Sequence, residues 1–130
     1  MYILRKKLGF YRLSERYEDI ECLDYVVMPN HFHSIISLRS DQLYLPEIIR
    51  YFKSLTTVGY IQGIKRHHWP AFHQHLWQKG YYDHIIRNTR AFKYIQKYIY
   101  HNPERWLYDK VNPDASSTTD NIFTELKELY

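Results

Sequence analysis

The chain has 130 residues, a length typical of one globular domain, with 45% hydrophobic and 25% charged residues. This composition excludes collagen-like and low-complexity proteins, and no apolar stretch approaches the roughly 20 residues of a transmembrane helix. A lone cysteine, Cys22, excludes an internal disulfide and a cysteine-based zinc site, and the charged amino terminus is unlike a secretory signal. We therefore expect a cytoplasmic protein without a membrane partner.

Positive charge is concentrated in the middle of the chain. The formal net charge is +4, yet eleven lysines and arginines stand against three acidic residues between Arg50 and Lys110, a local excess of +8. Aromatic residues make up 18% of the chain, and 14 residues are tyrosines. Because cations displace the counterions of phosphates and aromatic rings stack on unpaired bases, this region suits a nucleic-acid partner. An ordinary solvated basic surface is the alternative.

The hydrophobic pattern predicts the order helix, hairpin, helix, strand, helix. Leu4, Leu8 and Tyr11 recur at helical spacing near the start, and two β-rich runs flank the turn pair Pro29-Asn30. This order favours an α+β fold with an antiparallel sheet. The predicted helices cover residues 1–17, 46–62 and 88–102, and the predicted strands cover residues 25–28, 31–38 and 81–87.

Particular residues mark the ends of the second and third predicted helices. Pro46 is a favoured first-turn residue, and Asn88 or Thr89 can cap the last helix. Proline lacks the N–H group that a helix interior needs. We therefore expect Pro103 to stop the last helix at Asn102.

Two histidines at the start of the second hairpin strand are candidate metal ligands. Alternate side chains of a strand share a face, so His31 and His33 project together with room for one ion between their rings. Imidazole is a common metal ligand, but two ligands are too few and a third must come from elsewhere. Surface or hydrogen-bonded core histidines are the alternative.

The last helix places a tyrosine at the border of its buried stripe. Tyr98 and Asn102 are spaced i and i+4, so they lie one above the other. From this border the Tyr98 hydroxyl can reach a polar cleft, whereas plain core packing is the alternative in a tyrosine-rich chain. The basic side of the same helix consists of Arg90, Lys93, Lys97 and His101.

Three motifs carry a resemblance to a known family. Residues 25–38 read YVVMPNHFHSIISL, and residues 76–106 read LWQKGYYDHIIRNTRAFKYIQKYIYHNPERW. These runs contain, in order, a Met-Pro-Asn-His-bulky-His hairpin, a Trp-Gln-x-x-Tyr-Tyr-x-His run and a Tyr-Ile-x-x-Asn-Pro helix end. From about Ser14 to Trp106, the chain resembles the single-tyrosine transposases of the HUH endonuclease superfamily. It is most similar to the branch of REP-associated tyrosine transposases.

The resemblance implies a reaction and a set of site residues. His31 and His33 match the metal-binding pair of the family, and Tyr98 matches its nucleophile. Asn102 matches a polar residue that can complete the metal site, which takes a divalent cation, Mg²⁺ or Mn²⁺. The family cuts single-stranded DNA beside a short folded hairpin through a 5′-phosphotyrosine intermediate, in the course of DNA transposition and recombination.

The basic residues around these positions are expected to hold DNA. Contacts to backbone phosphates position a nucleic acid without reading its sequence. Arg90, Lys93 and Lys97 are predicted to make such contacts from the last helix, and Arg50 and Lys53 from the preceding helix.

The resemblance also implies a ferredoxin-like antiparallel sheet with helices packed on it. Family members begin with an interior strand, which the run Tyr2–Leu4 is too short to supply. We expect one such domain over residues 1–111, shortened at its amino end, and a linker with a short amphipathic segment over 112–130. A start site placed too far downstream, sheet closure by a partner chain in a homodimer, and a decayed copy are three explanations for the missing strand.

Two functions therefore stay open at this point. The leading one is a DNA-nicking and joining transposase. The alternative is a catalytically idle module of the same fold that binds single-stranded DNA or RNA. Both functions use the same basic residues. They differ only in whether Tyr98 and a bound metal ion take part in a reaction.

Overall fold

The computed structural model describes residues 2–106, with side chains from residue 9 onward, so the predicted segment 112–130 lies outside the described residues. Three helices and one two-stranded antiparallel sheet confirm the predicted α+β class. No helix in the described part of the chain has the length and apolar character needed to cross a membrane. The elements in order are α1 (Tyr2–Arg16), β1 (Ile20–Val27), β2 (Phe32–Leu38), α2 (Leu45–His67) and α3 (Thr89–Trp106).

The hairpin forms where the turn pair Pro29-Asn30 predicts it. The Met28 N–H donates to the His31 carbonyl at 2.9 Å and closes the turn between β1 and β2. Strand β1 begins at Ile20, before the predicted start at residue 25, because the hairpin continues toward its open end, where the Arg39 N–H donates to the Asp19 carbonyl at 2.8 Å. The strand pair is therefore longer than the local hydrophobic pattern indicates.

The third strand predicted over residues 81–87 is wrong. Within residues 2–106 the sheet contains only β1 and β2, and the segment 81–87 forms no regular element. Its side chains are not packed as those of a sheet strand would be, since Tyr82 is fully exposed and Ile85 is 67% exposed. Alternating hydrophobicity predicts which face of a strand is buried, but a strand also needs a neighbouring backbone to pair with.

The described residues divide into two compact units, one made of residues 2–23 and 34–83 and the other of residues 24–33 and 84–106. In the first unit, α1 packs against α2. Phe10 and Ile48 are each only 1% exposed and form the centre of this core. Gly9 permits the close approach of the helices, because a Cβ atom there would lie 2.6 Å from the Thr56 methyl group.

Helix α2 also anchors the chain that follows it in the first unit. The Trp77 indole N–H donates to the Thr56 hydroxyl at 2.9 Å. The Lys53 ammonium group donates to the carbonyls of Gln78 and Gly80. Burial lowers the pKa of Lys53 from its ordinary value, which agrees with this partly enclosed position.

The second unit combines the tip of the hairpin with α3. Val26 and Met28 from the hairpin and Ala91 and Ile99 from α3 are all buried. Between the two elements, the Gln96 amide donates to the Asp24 carboxylate at 2.9 Å. Apolar burial and this hydrogen bond together hold α3 against the hairpin tip.

The prediction that Pro103 stops the last helix is wrong. Helix α3 contains Pro103 in its interior and ends at Trp106. A proline inside a helix removes one hydrogen bond, to the carbonyl four residues earlier, and this loss does not end a helix that has other contacts to hold it. Here the Trp106 ring lies 6.0 Å, centroid to centroid, from the His31 ring of the hairpin.

Candidate catalytic and metal site

The two candidate histidines lie side by side at the tip of the hairpin. His31 immediately precedes β2 and His33 is the second residue of this strand. Their ring centroids are 4.9 Å apart, with the ring planes at 73°. The one-residue separation along an extended chain thus places both rings on one side, as the alternation of a strand predicts.

Local hydrogen bonding orients the His31 ring. Its Nδ1 atom lies within hydrogen-bond distance of the Asn30 side-chain oxygen. When Nδ1 carries the proton of this bond, the lone pair of the ring lies on Nε2. Such an oxygen partner on one ring nitrogen is the usual arrangement of a histidine that binds metal through the other.

His33 is held in its neutral form. Burial, and secondarily repulsion from His31 when that ring is protonated, lower the pKa of His33 from 6.5 to about 4. The imidazole is therefore uncharged near neutral pH. A neutral imidazole is the form that donates a lone pair to a metal ion.

Helix α3 presents Tyr98 to this histidine pair. The Tyr98 hydroxyl lies 3.5 Å from His33 Nε2, at the outer limit of a hydrogen bond, and the two ring centroids are 5.4 Å apart. Tyr100, two residues later, points to the opposite side of the helix and is 78% exposed. Of these two tyrosines, only Tyr98 contacts His33.

Asn102 is the third residue that is predicted to bind the metal ion. It lies one helical turn after Tyr98 and is only 5% exposed. In the described part of the chain, no three histidine, cysteine or acidic side chains cluster as a metal site would require. The predicted donor set stays two imidazoles and one amide, and such nitrogen-rich ligands suit Mn²⁺ better than Mg²⁺, which favours oxygen ligands.

The structure distributes the predicted DNA-binding residues over both units. Arg90, Lys93 and Lys97 lie exposed on α3, in the unit that contains the histidine pair. Arg50 is exposed on α2, in the other unit. Lys53 is less available than its charge suggests, because its ammonium group donates to two backbone carbonyls.

Two residues beyond Pro103 join the site although the sequence pattern did not single them out. The Arg105 guanidinium carbon lies 5.8 Å from the centroid of the Tyr98 ring, and Trp106 contacts His31. Seven residues are about two turns of a helix, so Arg105 shares the face of Tyr98. This helical spacing could have pointed to Arg105. It applies only if the helix continues past Pro103, and the sequence pattern predicts that the helix ends before this residue.

Comparison with known proteins identifies a family and a relative. The model of the family described as "Transposase IS200 like" matches residues 8–102, a range that includes the histidine pair, Tyr98 and Asn102. An uncharacterized protein of Haemophilus influenzae is 31% identical, over 70% of this chain and 58% of the relative. The chain thus spans less than two thirds of the length of that relative. No solved structure matches the chain.

Proposed function

Because the chain belongs to the IS200-like transposase family, we propose that it cuts and rejoins single-stranded DNA, with Tyr98 as the nucleophile. The observation that carries this proposal is the position of the Tyr98 hydroxyl, 3.5 Å from the neutral imidazole of His33. A phenol beside a pair of metal-competent histidines has the chemistry of a phosphoryl-transfer site.

The proposed step exchanges one phosphodiester for another. The Tyr98 hydroxyl oxygen forms a bond to the phosphorus as the bond from phosphorus to the 3′ oxygen breaks. The phenol gives up its proton to water, and the departing 3′ oxygen takes one up. The products are a 5′-phosphotyrosyl protein and a free 3′-hydroxyl, so a second 3′-hydroxyl can reverse the step and join strands without an external energy source.

A divalent cation held by His31, His33 and Asn102 would polarise the scissile phosphate and offset the charge that develops on it. The surroundings of the three residues favour metal binding. The Asn30 oxygen orients the His31 ring, and burial keeps His33 uncharged at the pH of the cell. Asn102 is fixed in a buried position on the same helix as the nucleophile.

The exposed cations would hold the DNA backbone. Arg90, Lys93 and Lys97 form a basic side of α3, and none of the three forms an ion pair within residues 9–106. Their charges are therefore available to phosphates, which position a strand irrespective of its sequence. We propose that the protein acts in the cytoplasm and that its substrate is single-stranded DNA with a hairpin. We also propose that it acts as a homodimer.

The test is covalent trapping of labelled DNA. Purified protein is incubated with labelled single-stranded DNA hairpins and Mn²⁺ or Mg²⁺, and adducts are separated on a denaturing gel. Tyr98→Phe removes one oxygen and keeps the ring, so we expect the yield of adduct to fall by roughly three orders of magnitude because the nucleophile is lost. Tyr100→Phe is the matched control and should form the adduct normally.

Two results would count against the proposal. An adduct formed by Tyr98→Phe would show that another residue attacks the phosphate. Binding of the hairpins by every protein, with no adduct from the unchanged chain, would favour the catalytically idle binding module instead.

A further inference from the structure

Arg105 occupies a special position relative to the proposed nucleophile. Helical side chains lean toward the amino end of the helix, so the long side chain of Arg105 extends back toward Tyr98, two turns earlier. Its guanidinium carbon lies 5.8 Å from the centroid of the Tyr98 ring. This is within the range over which a cation and an aromatic face attract each other.

The charge of Arg105 is not neutralised by a carboxylate. Arg105 is exposed and forms no ion pair among residues 9–106. The adjacent carboxylate of Glu104 contacts His101 Nδ1 at 3.2 Å instead. The guanidinium therefore lies over the tyrosine with N–H donors left for an anion, five of which an arginine carries in a fixed fork.

We propose that Arg105 binds a non-bridging oxygen of the scissile phosphate while Tyr98 attacks the phosphorus, a role that rests on the proposed function of Tyr98. Negative charge on the phosphate oxygens must be offset as the new bond forms, and an arginine fork matches two such oxygens. Arg105 is then a catalytic residue, in contrast to the lysines and arginines that only hold the backbone. No bond to Arg105 forms or breaks.

The experiment compares single-turnover adduct formation by Arg105→Gln, Arg105→Lys and the unchanged protein on the same labelled hairpin DNA. Loss of one charge-stabilising donor slows such reactions by about 100-fold or more. We expect this loss for Arg105→Gln, with a smaller loss for Arg105→Lys, while DNA affinity changes by a few-fold at most. Arg16→Gln is the matched control, because Arg16 lies 5.6 Å from the Tyr17 ring in the other unit, and its rate should not change.

A second substrate separates contact with the phosphate from support of the tyrosine. A methylphosphonate at the scissile position replaces one charged oxygen by a neutral methyl group. If Arg105 offsets that charge, its loss matters less once the charge is gone. The ratio of the rate of the unchanged protein to that of Arg105→Gln should therefore be much smaller on the methylphosphonate than on the phosphodiester.

Failure of this inference can be distinguished from failure of the proposed function. A normal rate for Arg105→Gln, or the same loss of rate on both substrates, would overturn the role of Arg105 while leaving Tyr98 as the nucleophile. An equal loss in Arg16→Gln would also overturn it. If the unchanged protein forms no adduct on either substrate, the proposed function fails and this inference fails with it.

Discussion

His33 shows how the surroundings of one side chain set its chemistry. An unperturbed histidine is partly charged near neutral pH, whereas burial and the neighbouring His31 lower the pKa of His33 to about 4. Tyr98 then contacts an uncharged ring rather than a cation. The residue is consequently suited to hold a metal ion beside the proposed nucleophile.

The pKa of His33 predicts how stability depends on pH. The unfolded chain binds a proton at His33 below about pH 6.5, and the folded chain does so only below about pH 4. The free energy of unfolding should therefore fall as the pH drops from 6.5 to 4, and His33 adds no pH dependence above this window. Urea titrations with a chelator present, at pH 7.5, 6 and 5, measure the effect.

His33→Gln is the control for this titration, since glutamine keeps hydrogen-bonding groups but binds no proton in this range. Between pH 6.5 and 4 the free energy of unfolding of this variant should fall less steeply than that of the unchanged protein. The two slopes should differ by at most about 1.4 kcal/mol per pH unit. Equal slopes for the two proteins would show that His33 is not held neutral by the fold.

Helix α3 carries most of the candidate site, and its two ends are stabilised differently. At its start the Asn88 side-chain oxygen accepts a hydrogen bond from the Ala91 N–H at 2.8 Å, which makes Asn88 the cap. At its other end the helix continues through Pro103, so that Arg105 and Trp106 reach Tyr98 and His31. The geometry of the site therefore depends on the whole length of this helix.

The cap predicts a measurable difference between two neighbouring positions. Asn88→Ala removes the acceptor and should lower the free energy of unfolding by about 1 kcal/mol. Thr89→Ala, at an exposed position without this bond, should change it by less than about 0.5 kcal/mol. Denaturant unfolding of both variants checks this, and equal losses would mean that Asn88 does not act as the cap.

At the scale of the whole molecule, charge asymmetry governs the expected DNA binding. The excess of +8 between Arg50 and Lys110 contrasts with a net charge of +4 for the chain. Binding that releases counterions from phosphates weakens as salt is raised, with a slope of about −0.7 per neutralised phosphate of a single strand. The affinity for single-stranded DNA should therefore fall steeply with salt.

Lys97 gives this prediction a local test. Lys97→Gln should make the logarithmic salt slope shallower by about 0.7, because one phosphate contact is lost. Arg12→Gln removes the same charge from an exposed position on α1, outside the basic middle of the chain, and should leave the slope nearly unchanged. Fluorescence anisotropy over a salt series measures both slopes, and an affinity that ignores salt would argue against nucleic acid as the partner.

Several features could be predicted from the sequence because they depend on residues close together in the chain. The three helices, the Pro29-Asn30 hairpin and the capping position at residue 88 or 89 follow from short-range periodicity and turn chemistry. The common side of His31 and His33 follows from the alternation of an extended chain. Assignment of these residues to catalysis came from the family resemblance and stays a prediction.

Only the tertiary structure decided the features that depend on contacts between distant segments. Residues 81–87 have the alternation of a strand but no pairing neighbour within residues 2–106, and Pro103 does not end a helix whose last turn contacts the hairpin. The neutral state of His33 comes from burial, and the choice between Asn88 and Thr89 from the observed hydrogen bond. Periodicity specifies which side chains share a face, whereas strand pairing, burial and the placement of Arg105 over Tyr98 depend on how the segments pack in three dimensions.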